Sequence, residues 1–274
     1  MAEQMMTWRG GAVTDYAVCV LAPNPGPMTL DGTNTWVLRA PGSREAVVID
    51  PGPAHRGHLE AVARHVEESD ARVSLVLLTH GHDDHSGGAA DFAAAVGSPV
   101  RAWDPAHRLG EEGVAEGDVI QVGGLDIAVV ATPGHTSDSV TFVLPDAVLT
   151  GDTVLGRGTT VVAHPDGRLA DYLDSLARLR DLVAERGAGH ILPGHGPALA
   201  DPVAAIDGYL AHRQDRLEQI RAALADLAEA GDLPPAAELP MALVRVVYAD
   251  VPQQVWPAAE LSVRAQLEYL AENG

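Results

Sequence analysis

The chain has 274 residues and a formal net charge of −20, from 38 acids against 18 bases, every base being arginine. An apolar share of 46% supports a sizeable buried core and excludes disorder or a coiled coil, while the acidity sets the surface against phosphate backbones and anionic membranes. The single cysteine, Cys19, excludes a disulfide framework and a thiolate zinc cluster. No run approaches the roughly 18 apolar residues of a membrane span, and residues 1–9 hold no signal-length apolar core, so a cytoplasmic protein without membrane contact is expected.

Strands and turns open the chain. A strand is expected at 16–21, with Cys19 as a small buried hydrophobe, and then a Pro- and Gly-rich loop at 23–32 that holds Met28 and Leu30, either as a packed turn or as a lip over a site. Strands follow at 35–39 and 45–50, the second stopped by Pro51-Gly52-Pro53. The region 57–68 spaces Leu59, Val62 and Val66 on one helical face, with His55, His58 and His65 read as solvated surface residues. After a buried strand at 73–78 and a motif described below come a helix at 89–96 and a short strand at 99–103. Two hairpins are expected, 118–122 with 125–132 around Gly123-Gly124, and 139–144 with 147–150 around Pro145-Asp146. A helix at 169–186 leads to a strand at 190–193. Beyond Gly196 the texture turns helical, at 202–230, 241–248 and 258–272.

The stretch Thr-His-Gly-His-Asp-Asp-His-Ser-Gly-Gly, at 79–88, has the composition of a metal site at a strand-to-helix junction. His80 and His82, two apart on extended backbone, project to one side; Asp84 and His85, at the start of the next helix, turn to another. Three later strand ends repeat a pattern of strand, glycine and ligand: Gly134-His135, Gly151-Asp152 and Gly194-His195. Glycine there allows a sharp bend and a close approach to an ion. Collecting them gives His80, His82 and His135 for one metal, Asp84, His85 and His195 for a second, and Asp152 as the bridge. Imidazole and carboxylate donors favour zinc, with manganese or iron as alternatives. Two such ions share a water, lower its pKa and polarise the oxygen under attack, so the expected reaction is hydrolysis by a metal-bridging hydroxide. Asp84 and Asp152 then carry catalytic as well as ligand roles, and His164, beside the turn-like Pro165-Asp166-Gly167, is the candidate proton donor to the leaving group. Asp83 is either a hydrogen-bonding support or simply exposed. Thr159 and Thr160 are candidates to face substrate, His190 and His212 read as structural, and the His212-Arg213 pair reaches substrate only if its helix packs over the site. Trp36, Trp103 and Trp256 read as core or interface residues, since no Lys/Arg cluster accompanies them as a base-stacking platform would require.

The ordered set His80-x-His82-x-Asp84-His85, His135, Asp152 and His195, with Asp50 after an early strand, resembles the metallo-beta-lactamase-fold hydrolases over residues 15–200. That resemblance implies an α/β (α+β) fold, an αββα sandwich with a dinuclear site at one edge, and Asp50 supporting the ligands. A narrower resemblance rests on residues 24–30, 32–35, 156–161, 172–176 and 193–197, which are similar to the beta-lactamase-like endoribonuclease group, shared by bacterial hydrolases and fungal polyketide thioesterases. It implies a catalytic domain at 1–200, a helical winged-helix-like domain at 201–274, and thioester or phosphodiester substrates. The insertion at 163–168, and 12 acids against 5 arginines from residue 197 onward, shift the expectation from RNA to a small ester or thioester. Endoribonuclease action on single-stranded RNA is the alternative. Beta-lactam hydrolysis ranks lower because many lactamases of this fold carry cysteine where Asp152 stands, and a non-catalytic metal-binding role ranks lower because the ligand set is intact. The acidic helical tail is expected to pack, cover substrate or support a homodimer.

Overall fold

Strands whose successive side chains are all apolar need cover on both faces, and that requirement organises the molecule. The computed structural model describes residues 7–273; the reading of the first residues as lacking an apolar leader falls mostly outside them. The first half contains β1 (Gly11–Ala12), β2 (Ala17–Leu21), β3 (Asn34–Leu38), β4 (Glu45–Ile49), α1 (Arg56–Glu67), β5 (Arg72–Leu77), the single turn α2 (Asp83–Ser86), α3 (Ala89–Val96) and β6 (Val100–Arg101). They form one sheet in the order β1-β2-β3-β4-β5-β6, antiparallel as far as β4 and parallel beyond. Next come β7 (Val119–Val122), β8 (Leu125–Ala131), β9 (Val140–Val143), β10 (Ala147–Gly151), α4 (Leu169–Arg186) and β11 (His190–Pro193), in a second sheet ordered β11-β10-β9-β8-β7. Its only parallel pair is β10 with β11, joined by the crossover helix α4 that such a pair needs. The β7–β8 hairpin turns on Gly123 and Gly124, both with positive φ, as a two-residue loop with the twist of its strands requires.

Alternation assigns each side chain its layer. Val47 and Ile49 of β4 and Leu75 and Leu77 of β5 face Ile127, Val129, Phe142, Leu149 and Leu192 across the sheets. Ala46, Val48 and Val76 face the other way, beneath Leu59, Val62 and Val66 of α1 and Phe92 and Ala93 of α3. On the far side of the second sheet, Val143, Val148 and Ile191 lie under Tyr172, Leu176 and Leu179 of α4. The result is the expected αββα sandwich. Two bulges shift the phase: Ser74 is the extra residue between the Ala46–Val73 and Val47–Leu75 pairs, and Thr150 the extra one between Leu149–Leu192 and Gly151–Pro193. The second bulge stands two residues before Asp152 and re-aims the chain there.

The remaining chain forms α5 (Pro202–Ala230), α6 (Leu239–Val247) and α7 (Trp256–Asn273), and among the described residues it holds no strand. Asp201 caps α5, accepting from Ala204 N at 3.0 Å. Ile206, Tyr209 and Leu217 of α5 join the core of α4, whereas Ile220 and Ala223 pack with Leu243 and Val244 of α6 and Val263 of α7. α5 thus belongs to both cores, and a unit boundary at residue 200 is a proposal that concerns chain order more than packing.

Most expected elements appear within two residues of their anticipated ends, and the helices at 169–186 and 202–230 coincide with α4 and α5. Of the three histidines expected at the surface here, His58 differs. His55 is exposed and caps the helix, its Nδ1 accepting from His58 N at 3.1 Å. His58 is buried, not solvated: it shares the i, i+4, i+8 row of Val62 and Val66, and its Nε2 lies 2.8 Å from Thr35 Oγ1. Burial, with His55 adding to it, pushes His58 down to about 4. Between about 4 and 6.5 the unfolded chain therefore takes up a proton that the native state refuses, so stability from this residue is complete above that window and lost as pH falls through it. Urea denaturation at pH 7 and pH 5 checks this. His58→Gln should flatten the loss by on the order of 1 kcal/mol, and an unchanged slope in the variant would refute it.

Candidate metal centre

The site forms where strands end. β5 delivers Thr79 and His80, the loop after β8 delivers His135, the bulged end of β10 delivers Asp152, and the end of β11 delivers His195. Asp50 sits just after β4 with a φ of 50°, a left-handed conformation that turns its buried carboxylate towards β5. Its Oδ1 accepts from Thr79 N at 2.8 Å, and its Oδ2 from Thr79 Oγ1 at 2.6 Å and from His85 Nδ1 at 2.9 Å. α2 starts immediately after His82, whose carbonyl accepts from His85 N at 2.9 Å, so Asp84 and His85 swing away from His80 and His82 within one turn.

Seven of the eight candidate residues converge. His80 Nε2 and His135 Nε2 each lie 3.1 Å from His82 Nδ1. His85 Nε2 is 3.2 Å from His195 Nε2, and Asp84 Oδ2 is 3.1 Å from His195 Nε2. Asp152 stands between the two groups, Oδ1 at 3.4 Å from His85 Nε2 and Oδ2 at 3.3 Å from His195 Nε2 and 3.8 Å from His135 Nε2. Nitrogens about 2.0–2.1 Å from a tetrahedral zinc stand about 3.3 Å apart, close to the separations here. The far nitrogens fix the orientation: His135 Nδ1 donates to Val161 O at 2.6 Å, His85 Nδ1 to Asp50, and His195 Nδ1 to Gly32 O at 3.2 Å, so each Nε2 is turned inward and offers its lone pair when the ring is neutral.

Three observations fit these residues to divalent cations. Asp152 Oδ1 is buried with no hydrogen-bond partner, an expensive state for a carboxylate that carries no proton. Burial pushes His80 well below its usual range and His135 down to about 4, so both present lone pairs at neutral pH. At His85 and His195 burial is the largest single influence and opposes charge, yet the surrounding carboxylates together, Asp152 with Asp50 at the first and Asp152 with Asp84 at the second, raise His85 well above its ordinary value and His195 to about 9. Burial would raise Asp84 and Asp152, but His195 and His85 hold the first at about 2 and the second well below the carboxylate range. The carboxylates thus draw positive charge to the very atoms a cation would use. Gly194 completes the fit, because a Cβ there would overlap Asp152 Oδ1 and crowd the His85 ring.

Beside His135 and Asp152 opens a cavity of about 240 Å³. Met28 and Leu30 of the early loop and Thr159 and Thr160 form part of it, and His212, Arg213 and Arg216 of α5 with Ala259 and Ser262 of α7 form another part. The C-terminal helices hold this wall. Arg213 Nη2 donates to Thr160 O at 2.6 Å, Val162 N donates to Ser262 Oγ at 3.2 Å, and Leu155 N donates to Tyr209 Oη at 2.8 Å. His164 is not brought to the cluster: its Nε2 pairs with Glu268 of α7 at 3.2 Å, and it does not line the cavity. Asp83 is exposed in the first turn of α2. Trp36 is core, and Trp103 and Trp256 pack against cores. Arg216, Tyr248 and Ser262 are cavity residues that the sequence alone does not single out. A signal exists for the α5 arginines, since Arg213 falls on the otherwise buried row Tyr209–Arg213–Leu217.

Residues 28–195 match the family model of the metallo-beta-lactamase superfamily, and residues 240–274 that of the beta-lactamase associated winged helix domain. The chain is 31% identical over 290 residues to the beta-lactamase-like protein 2 homolog of Drosophila melanogaster, covering 96% of this chain and 90% of that one. It is 35% identical over 217 residues to an atrochrysone carboxyl ACP thioesterase of Aspergillus chevalieri, covering 77% and 67% respectively. A crystal structure of a metallo-beta-lactamase family protein from Thermus thermophilus superposes with a TM-score of 0.74 at 25% identity, over 96% of this chain and 95% of that one. The chain therefore belongs to the metallo-beta-lactamase superfamily and carries that superfamily's associated winged helix domain at its C-terminal end.

Proposed function

We propose that the protein hydrolyses a small ester or thioester at two divalent ions, zinc for preference, held by His80, His82 and His135 on one side and by Asp84, His85 and His195 on the other, with Asp152 shared. The observation that carries this reading is the Asp152 carboxylate, whose Oδ1 is buried without a hydrogen-bond partner, which stands between the two donor groups and which lines a partly apolar cavity. When bound, such ions activate a water for attack and polarise the carbonyl oxygen. Around them the chain's own groups have separate tasks. Asp50, Val161 O and Gly32 O hold three imidazoles with Nε2 turned inward, and Asp84 and Asp152 remain ionised at neutral pH, available to accept the proton that water gives up. In the net reaction the water oxygen joins the carbonyl carbon, the carbon–sulfur bond breaks, and the sulfur leaves as thiolate. A thiol with an ordinary pKa of about 8.5 leaves readily without a proton donor, so His164, paired with Glu268, has no necessary part in that step. The similarity to an atrochrysone carboxyl ACP thioesterase supports the thioester choice.

One observation favours a second reading, cleavage of single-stranded RNA: Arg157, Arg213 and Arg216 all line the cavity. Yet Arg157 is paired with Asp31, and Arg213 is only 2% exposed, which makes them parts of a wall and not an open phosphate track. A panel of one thioester, one phosphodiester and one lactam separates the readings. We expect thioester turnover to dominate, vanish on chelation and return with zinc; faster phosphodiester cleavage would overturn the proposal. Asp152→Ala should lower the bound metal below two per chain, measured by native mass spectrometry, and reduce kcat at least about a hundredfold. Two ions retained would remove the bridging role. His164→Ala should keep both metals and change kcat less than about threefold, and a loss of tenfold or more would restore it as a proton donor.

A further inference from the structure

Arg213 is a buried cation without a counter-ion. It is 2% exposed, its guanidinium lies 4.9 Å above the Tyr172 ring, and beyond the bond to Thr160 O its Nε is buried with no hydrogen-bond partner. Among the described residues no carboxylate pairs with it. Buried charges are ordinarily paired, because an isolated one forfeits its hydration. In a chain with 38 acids and 18 bases, a partner was readily available. One turn on, the half-buried Arg216 donates from Nη1 to Val247 O at 2.6 Å and to Gln219 Oε1 at 2.8 Å, its guanidinium stacks 4.5 Å from Tyr248, and among the described residues again no carboxylate pairs with it. His212 lies beside them with its Nδ1 buried and unpartnered. Burial and the two arginines push it down to about 4, so near neutral pH it is uncharged. All three residues line the cavity next to the metal centre, and the only carboxylate in that lining is Asp152.

We propose that Arg213 and Arg216 form a carboxylate-binding subsite, so that the acyl half of the substrate ends in an acidic group. This rests on the thioester reading above and names its substrate class. Both guanidinium groups line the cavity, Arg213 with Nη2 given to Thr160 O and Arg216 with only Nη1 given to protein acceptors, and planar guanidiniums with further N–H donors suit a carboxylate, which takes paired hydrogen bonds. The anion is assigned to the acyl half because the cavity of about 240 Å³ beside His135 and Asp152 is of a size for a short acyl chain with its carboxylate. Val251, Val255 and Ala258 supply the apolar surface that the intervening methylenes would meet.

The test uses the metal-replete full chain and thioesters of N-acetylcysteamine, an uncharged leaving group, comparing glutaryl with pentanoyl as acyl part. Glutaryl should be preferred at least about tenfold in kcat/KM. That ratio should fall by at least about tenfold in Arg216→Met and in Arg213→Met; because Arg213 also holds the Thr160 loop, Arg216→Met is the variant that stands apart from loop damage, and a ratio cancels general loss of active protein. A wild-type ratio near one, with both thioesters turned over, overturns the subsite and leaves the hydrolase reading standing. A ratio that survives both substitutions overturns the assignment to these arginines. Pentanoyl-coenzyme A preferred over pentanoyl-N-acetylcysteamine, with that preference lost in the variants, puts the anion on the leaving group and overturns the acyl-side assignment. Absence of any thioester turnover, or arginine-dependent cleavage of a short oligoribonucleotide in its place, sinks both the subsite and the reading beneath it.

Discussion

One buried carboxylate makes the rest of the site possible. Asp50 binds Thr79 through both backbone and hydroxyl, and binds His85 through Nδ1, so a single residue at the end of β4 ties the end of β5 to the first turn of α2. Without it, the two halves of the 79–88 motif are joined through Gly81 by the turn of α2 alone, in which the His82 carbonyl accepts from His85 N and Ser86 N and the Ser86 hydroxyl donates to Gly81 O and His82 O. With it, His80 and His82 face one point and Asp84 and His85 another, and the separation of the two ligand groups is built into the backbone. The cost is a left-handed Asp50, a conformation that non-glycine residues adopt only where the surroundings compel it. Charge-assisted hydrogen bonds to a fully enclosed carboxylate are among the strongest that a protein makes, which is what allows that backbone strain to persist.

From this anchor, support spreads outward in layers that cross the whole chain. His135 is oriented by Val161 O, and the 158–162 segment is held in turn by Arg213 of α5 and Ser262 of α7. Tyr209, also on α5, secures Leu155 a few residues earlier. The C-terminal helices are therefore structural supports of the candidate metal centre even though they supply no candidate ligand. α5 achieves this because it is long enough to pack on α4 with one half and on α6 and α7 with the other. A loop set between two such cores is restrained from both ends, and a ligand placed on it inherits that restraint.

What is legible in the sequence follows from which interactions are local. Ligand spacing at 80–85 and the repeated strand-glycine-ligand ends at 135, 152 and 195 are properties of short segments, so the seven converging residues are readable before any tertiary contact is known. Strand and helix limits are similarly accessible, since apolar periodicity records them directly. His58 misleads because its polarity outweighs its position on the buried row of α1, and the Thr35 contact that satisfies it lies 23 residues away. His164 stands out by its loop, whereas its actual partner, Glu268, comes from a helix more than 100 residues later. The α5 arginines pose the opposite difficulty. Charges on a helix are usually solvated, and only the packing of Arg213 against Tyr172 shows that this one is not.

An acidic protein with a cation-lined cavity needs no special reconciliation, because the two kinds of charge act over different ranges. Surface carboxylates are screened within about 8 Å at physiological ionic strength, so the net charge of −20 sets solubility and discourages long polyanions without deciding what a small ligand meets inside. Within the cavity the dielectric is lower and the nearest charges dominate. There Arg213 and Arg216, which no carboxylate pairs among the described residues, outnumber the single Asp152, whose own charge is already committed to the histidines around it. A short acyl chain with one acidic end can pass an acidic surface at modest cost and gain two guanidinium partners on arrival. A long phosphodiester chain would have to lie along that surface, with many of its charges unpaired. On the proposed reading, the same composition that disfavours a long polyanion leaves a small anionic substrate unhindered, and it is the placement of two arginines on α5, not the overall charge, that separates the two.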